Sequence, residues 1–131
     1  MKSTKPTVAS QKISDFEDKS LLIVDDDDPF RNRLTRAMEM KGFAVKGAKT
    51  VSEGLKIAQN TPTNFAVIDL RLEDGNGLDI VKALNKGRKD SKIVMLTGYG
   101  NLPTAVEAVK VGAIDYISKP VDADDVESAL L

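Results

Sequence analysis

The 131-residue chain contains no cysteine, no histidine and no tryptophan. Without cysteine there is no disulfide framework, no thiolate nucleophile and no iron–sulfur site. The joint absence of cysteine and histidine removes the usual ligand set of a zinc site. Lack of histidine alone excludes a Ser-His-Asp triad and an imidazole general base. Long hydrophobic runs are missing too: no apolar run exceeds five residues, far short of the roughly 20 that span a bilayer. Residues 1–19 are polar and mixed in charge, with no apolar stretch of the signal-peptide kind. Charge of one sign is not in excess either. With 19 Lys+Arg against 20 Asp+Glu the net charge is −1, so no overall field draws the chain to nucleic acid or a membrane surface. These absences lead us to expect a cytoplasmic protein with no membrane partner, whose chemistry runs on carboxylates, hydroxyls, Lys, Arg and a hard metal ion. Residues 1–19 are expected to be a disordered leader, and 20–131 a single domain.

Five short apolar runs follow the leader: Leu21–Val24, Phe43–Val45, Phe65–Ile68, Ile93–Leu96 and Ile114–Ile117. Segments with helical spacing separate them, an alternation that predicts an α/β fold with a doubly wound parallel sheet. LLIV, FAVI and IVML are continuously apolar, as strands buried on both faces are. The second run passes straight into Lys46, in the segment FAVKG, and the fifth contains Asp115, which marks these two as edges. With right-handed crossovers the simplest strand order is 2-1-3-4-5, a flavodoxin-like arrangement.

Helix signals agree. Asp28-Pro29 reads as an N-cap and first turn, and Phe30, Leu34, Ala37 and Met38 form one apolar stripe that Gly42 ends. Thr50 and Glu53 read as a capping box. Val51, Leu55 and Ala58 face inward on the second helix, and Leu78, Val81 and Leu84 on the third. Asn101 and Pro103 open the fourth, with Ala105, Val106 and Val109 as its lining and Gly112 closing it. Asp122 caps the fifth. That helix reaches Leu131 after only about 13 Å, so the chain is expected to be cut inside its last helix.

In this topology sites form beyond the carboxyl ends of the strands, where strand order reverses. The first strand runs into Asp25–Asp28, the third ends at Asp69, the fourth at Thr97, and the fifth leads to Lys119-Pro120. Two carboxylates about 4 Å apart repel by roughly 4 kcal/mol at an effective dielectric near 20. Asp25, Asp26 and Asp69 together therefore call for a cation, and hard oxygen ligands suit Mg²⁺. With Lys119 such an ion makes an electrophilic clamp for a phosphoryl group, a transfer that requires no histidine base. A DDDD run alone would read as a solvated or helix-capping cluster. Four strand ends each bearing the right residue type make that reading improbable.

The segments LLIVDDDD, FAVIDLRLEDGNGLD, IVMLTGYG and GAIDYISKP resemble the receiver domain of two-component response regulators. The resemblance covers residues 20–131. It implies that Asp69 accepts a phosphoryl group from a sensor histidine kinase, whose phosphohistidine supplies the imidazole missing here. Asp26 would ligate Mg²⁺ (or Mn²⁺) directly, Asp25 largely through water, and the main-chain carbonyl of Arg71 would add a ligand. Thr97 and Lys119 would hold phosphoryl oxygens, and Tyr116 matches the aromatic switch position. It further implies a signalling phosphoacceptor rather than an enzyme, one that assists its own phosphotransfer and autodephosphorylation. A homodimer would form through the fourth-helix, fifth-strand and fifth-helix face. The motifs DDDxPF, LEDGNGLD and LTGYGN are similar to one subgroup, the redox-responsive transcription regulators of the RegA/PrrA/ActR type. These carry a downstream DNA-binding domain, which is absent here. The pattern's frequent proline four residues after the acceptor is replaced by Glu73, and the Asp74–Gly77 turn that follows leaves the loop's stiffness open.

A flavodoxin-like cofactor binder would need a phosphate cradle where Asp25–Asp28 stand, and these would repel the phosphate. A haloacid-dehalogenase-like phosphohydrolase is the alternative: Asp25-x-Asp27 resembles its nucleophile motif, with Asp25 as nucleophile. A receiver fold used only as an interaction scaffold would bind no Mg²⁺. Arg71 and Tyr99, two residues beyond Asp69 and Thr97, are expected to flank the phosphoryl group and lengthen its lifetime by obstructing water.

Overall fold

The structure, a computed structural model, describes residues 12–98 and 102–131. Its central sheet is parallel and five-stranded. The strands are β1 (Ser20–Val24), β2 (Ala44–Ala48), β3 (Phe65–Asp69), β6 (Lys92–Thr97) and β7 (Asp115–Ser118), in the order β2-β1-β3-β6-β7. Counting only strands of this sheet, that is the expected 2-1-3-4-5, with the Lys46 and Asp115 strands at the edges. Four helices cross over between successive strands of the sheet, α1 (Asp28–Lys41), α2 (Val51–Asn60), α3 (Leu78–Gly87) and α4 (Leu102–Lys110), and α5 (Ala123–Leu130) follows β7. A two-stranded antiparallel hairpin, β4 (Arg71–Leu72) with β5 (Gly75–Asn76), stands apart from the sheet just after Asp69. It occupies the turn cluster that followed the acceptor in the sequence.

Alternation along the strands divides the core in two. Leu22, Val24, Ala66, Ile68, Ile93 and Met95 pack against α2, α3 and α4 through Ala58, Ile80, Leu84 and Ala108. Leu21, Ile23, Phe65, Val67, Val94 and Leu96 pack against α1 and α5 through Leu34, Met38, Val126 and Leu130. β1, β3 and β6 are apolar at consecutive positions because both faces of each are covered.

Four local readings are corrected. Residues 12–19 are not a disordered leader: a 3-10 turn at Ile13–Asp15 lays Ile13 into the core, and Phe16 meets Phe65 edge-on at 5.2 Å between centroids. Two apolar side chains, too sparse for a periodic signal, are enough to dock this segment against the core that the sheet shares with α1 and α5. The cap of α1 is Asp27, whose carboxylate accepts the Phe30 amide at 3.0 Å, while Asp28 is helical and pairs with Arg31 at 2.7 Å. Proline accordingly sits at the second helical position. Glu53 does not close a reciprocal box with Thr50: Thr50 accepts the Glu53 amide, but Glu53 reaches one residue further back, to the amide of Lys49. Among the described side chains of α4 Ala108 is buried, while Val106 and Val109 are exposed. At 100° per residue, an inward Ala108 carries Val109 and Val106 away from the sheet. Residues 1–11 of the expected leader, Asn101 and the side chain of Ala105 lie outside the described residues.

Candidate functional site

The carboxyl ends of β1, β3 and β6 meet at one edge of the sheet. Asp25 follows β1 and is fully buried, its amide bonded to the Ala48 carbonyl at 3.1 Å. One carboxylate oxygen accepts the Asp27 amide at 2.9 Å. The other accepts from Lys119 Nζ at 2.9 Å, and the same ammonium donates to Asp69 Oδ2 at 3.1 Å. Asp69 Oδ1 accepts the Arg71 amide at 3.2 Å. Asp26 is half-buried beside them, and one oxygen from each of Asp25, Asp26 and Asp69 lies within 4.8 Å of the other two.

The electrostatics follow from this packing. Burial, then the charge of Asp25, pushes the Asp69 carboxyl above its ordinary value, against the opposing pull of Lys119 and the Arg71 amide. Burial alone would pull the Lys119 ammonium down, but its bonds to Asp25 and the charge of Asp69 outweigh that and hold it raised. One ammonium thus pairs with two of three clustered carboxylates, and one oxygen of each of the three lies close enough to the others to share a metal ion. Three hard oxygen donors in a solvent-reachable cluster fit Mg²⁺ or Mn²⁺.

Thr97, the last residue of β6, is buried, and its carbonyl accepts the Lys119 amide at 2.8 Å, which sets the base of the lysine beside β6. Arg71 lies on β4 with its side chain exposed. Tyr116 lies on β7, opposite Met95, half-buried against the core beneath α2–α4. Tyr99 lies outside the described residues. The structure therefore brings Asp25, Asp26, Asp69 and Lys119 into one cluster, with Thr97 and the Arg71 amide at its margin. Tyr116 sits on a more distant strand.

Three further residues shape the site. Phe30 places its ring 5.1 Å from Lys119 Nζ, a cation–π arrangement. Arg31 donates to the Asp25 carbonyl at 2.7 Å and so ties the β1–α1 loop to α1. Gly77 approaches Asp69 so closely that a Cβ there would lie 2.6 Å from the Asp69 carbonyl oxygen and 2.6 Å from Ile68 Cγ2. Phe30 read as core stripe and Gly77 as turn, and no local signal distinguishes these roles.

A five-stranded 2-1-3-4-5 sheet with an acidic trio and a lysine at its switch point defines a class. The chain belongs to the response regulator receiver domain family, whose model matches residues 21–131. Within it, the chain stands close to the RegA and ActR regulators. It is 60% identical over 124 residues to the photosynthetic apparatus regulatory protein RegA of Rhodovulum sulfidophilum, covering 95% of this chain and 68% of that protein. It is 58% identical over 114 residues to the acid tolerance regulatory protein ActR of Rhizobium meliloti, covering 87% of this chain and 59% of that one. The chain thus spans about three-fifths to two-thirds of the length of these relatives. Among solved structures, a response regulator from Burkholderia pseudomallei with a phosphorylated aspartic acid, calcium ion and citrate superposes with a TM-score of 0.81 at 38% identity, over 87% of this chain and 67% of that one. A CheY-like receiver domain from Methanospirillum hungatei gives 0.77 at 36%, over 82% and 86%. The haloacid-dehalogenase-like reading with Asp25 as nucleophile finds no support: the matching family is the receiver, and the Asp25 carboxylate is fully buried with both oxygens bonded. Among the described residues no helix is long and apolar enough to cross a membrane.

Proposed function

We propose that this chain takes a phosphoryl group from the phosphohistidine of a sensor histidine kinase onto Asp69. The observation that carries this reading is the single ammonium of Lys119 bonded to both Asp25 and Asp69 within a cluster of three carboxylates. An ionised Asp69 oxygen attacks phosphorus in line. The O–P bond forms as the donor's P–N bond breaks, and the imidazole leaves with the bonding electrons. Mg²⁺ (or Mn²⁺), held by Asp25, Asp26, Asp69 and the Arg71 carbonyl, would neutralise the carboxylates and the phosphoryl oxygens. Lys119 donates to one phosphoryl oxygen and the Thr97 hydroxyl to another. Those new contacts favour a different arrangement of α4 and β7, with Tyr116 as the switch. Arg71 and Tyr99 lengthen the phosphorylated state by obstructing water, so Arg71→Ala and Tyr99→Ala speed dephosphorylation. The cycle closes by autodephosphorylation, so the chain acts as a signalling phosphoacceptor rather than an enzyme.

The similar structure with a phosphorylated aspartic acid supports this reading. The 58–60% identity to the regulatory proteins RegA and ActR supports a transcriptional output, which would be reached through DNA binding by a further domain. Pairing would use the α4–β7–α5 face, in the cytoplasm. Incubation with Mg²⁺ and acetyl phosphate, or with beryllofluoride, tests the central step. A 1:1 adduct absent from Asp69→Asn is the expected result. No adduct, or one retained in that variant, overturns it.

A further inference from the structure

Asp74 lies at the tip of the β4–β5 hairpin, and its carboxylate leaves the hairpin to bond a different element. Oδ1 accepts the Val51 amide at 2.8 Å, and Oδ2 accepts the Ser52 amide at 3.1 Å. These are the first two amides of α2, which have no partner within the helix. Thr50 accepts the third, from Glu53, at 3.1 Å. The two amides hold the Asp74 carboxyl below its ordinary value, Val51 first. Apolar contact runs alongside: Leu72 of β4 and Val51 share one core cluster, and a Cβ at Gly75 would stand 3.5 Å from Val51 Cγ2.

The hairpin also carries the acceptor's immediate surroundings. Its base is fixed by main-chain bonds from Leu70 to Leu96 and from Gly77 to Leu70. Between base and tip, Arg71 donates its amide to Asp69 Oδ1. The α2 end that Asp74 grips is itself tied to the site, because Ala48 at the end of β2 accepts the Asp25 amide. Asp74 thus links the loop after β3 to the loop after β2, and through it to Asp25.

Resting on the phosphoacceptor reading, we propose that Asp74 is a positioning residue for Asp69. By clamping the hairpin tip to the start of α2, it holds the Arg71 amide and carbonyl in register with the carboxylate cluster. Its loss lets the hairpin swing and loosens the cation site without touching any ligand.

The test, for the parent and Asp74→Ala, Asp74→Asn and Thr50→Ala, has two readouts: the Mg²⁺ dependence of the thermal midpoint without a phosphodonor, and phosphorylation of the 131-residue chain by acetyl phosphate across the same Mg²⁺ series, read by intact mass. Thr50→Ala removes another cap of the same helix and leaves the hairpin clamp in place, so it controls for stability. Asp74→Ala is expected to raise the half-saturating Mg²⁺ concentration by about tenfold, the usual order for loss of a group that orients metal ligands. Thr50→Ala lowers the thermal midpoint and leaves the Mg²⁺ dependence at the parent value. Asp74→Asn, with one amide oxygen left to accept, falls between parent and Asp74→Ala. A parent-like Mg²⁺ dependence in Asp74→Ala overturns the proposal, as does an equal shift in Thr50→Ala. If the parent itself is not phosphorylated, the reading of Asp69 fails and the role of Asp74 falls with it.

Discussion

The Lys119 ammonium lies 3.1 Å from Oδ2 of Asp69, a residue 50 positions earlier in the chain. It reaches this point because the ends of β3 and β7 flank β6, and it compensates a carboxylate that is buried beside another. Lys119→Ala leaves Asp25 and Asp69 facing each other with no cation. Breaking a buried pair costs about 3–5 kcal/mol, and partial solvent access to the lysine reduces this to roughly 2 kcal/mol. Urea unfolding at pH 7 should show that loss in metal-free buffer, with Mg²⁺ restoring more stability to the variant than it adds to the parent.

Asp69 itself strains the metal-free fold. Its carboxyl is raised by burial and by Asp25, so the folded chain binds this proton more tightly than the unfolded chain. Between the ordinary carboxylate value of 3.8 and the raised one, the native state therefore holds more protons and this contribution to stability falls as pH rises. Asp69→Asn removes the charge. Thermal unfolding at pH 7 without metal should give a midpoint a few degrees above the parent, an effect of roughly 1 kcal/mol. In the variant the Mg²⁺-induced increase should be largely lost.

The buried strands were legible because continuous apolar runs mark strands covered on both faces, and Lys46 and Asp115 marked the edges. Asp25, Asp69 and Lys119 were legible because each stands at, or directly after, the carboxyl end of a strand. The contacts that tune them were not. Phe30 over Lys119, Gly77 under Asp69 and Asp74 on α2 join positions distant in the chain, and each residue type had an adequate local explanation as core, turn or loop. Residues 12–19 were misread for a related reason: Ile13 and Phe16 dock a polar segment with no periodicity to announce it.

Phe30 offers a way to test one such contact. Its ring stands 5.1 Å from the Lys119 nitrogen, an interaction worth about 0.5–1 kcal/mol at a partly exposed site. Phe30→Leu keeps most of the apolar volume and removes the aromatic face. We expect it to remain folded and to be phosphorylated by acetyl phosphate about two- to fivefold more slowly, the rate equivalent of that energy. Phe30→Ala should lose stability as well. Equal rates in Phe30→Leu and the parent would assign the ring to packing alone.

At the opposite end of the sheet, Asp18 closes the N-terminal segment onto β3 and the loop after α3. The Ser20 hydroxyl, Arg88 and the Ser20 amide hold its carboxyl at about 2, against an ordinary 3.8. The Asp18 carbonyl and the Arg88 guanidinium both bond Asn64. A lowered folded value gives stability that is complete above 3.8 and lost as pH falls towards 2. The pair is partly solvent-exposed and screened by water, so Arg88→Ala should cost about 1 kcal/mol at pH 7. Urea midpoints taken from pH 7 down to pH 2 should converge for parent and variant as Asp18 protonates. A constant gap would place the role of Arg88 in packing.

Gly77 and Gly54 both admit a neighbour where a Cβ would stand, but the neighbours differ. At Gly54 the nearest atom is Ile80 Cδ1 at 2.6 Å, the end of a flexible side chain, and at Gly77 it is the Asp69 carbonyl oxygen at 2.6 Å. The Gly77 backbone is in the right-handed helical region, with φ −73° and ψ −5°, so the cost of a larger residue is contact rather than conformation. Overpacking of this kind costs about 1–3 kcal/mol. An isoleucine tip can rotate away, whereas the Asp69 backbone can yield only by moving the acceptor. Gly54→Ala should therefore lower the thermal midpoint and keep the parent's rate of phosphorylation once folded. Gly77→Ala should lower both, with the rate falling by about tenfold or more for a displacement near 1 Å. Comparing the two variants at a temperature where both are folded separates acceptor displacement from instability.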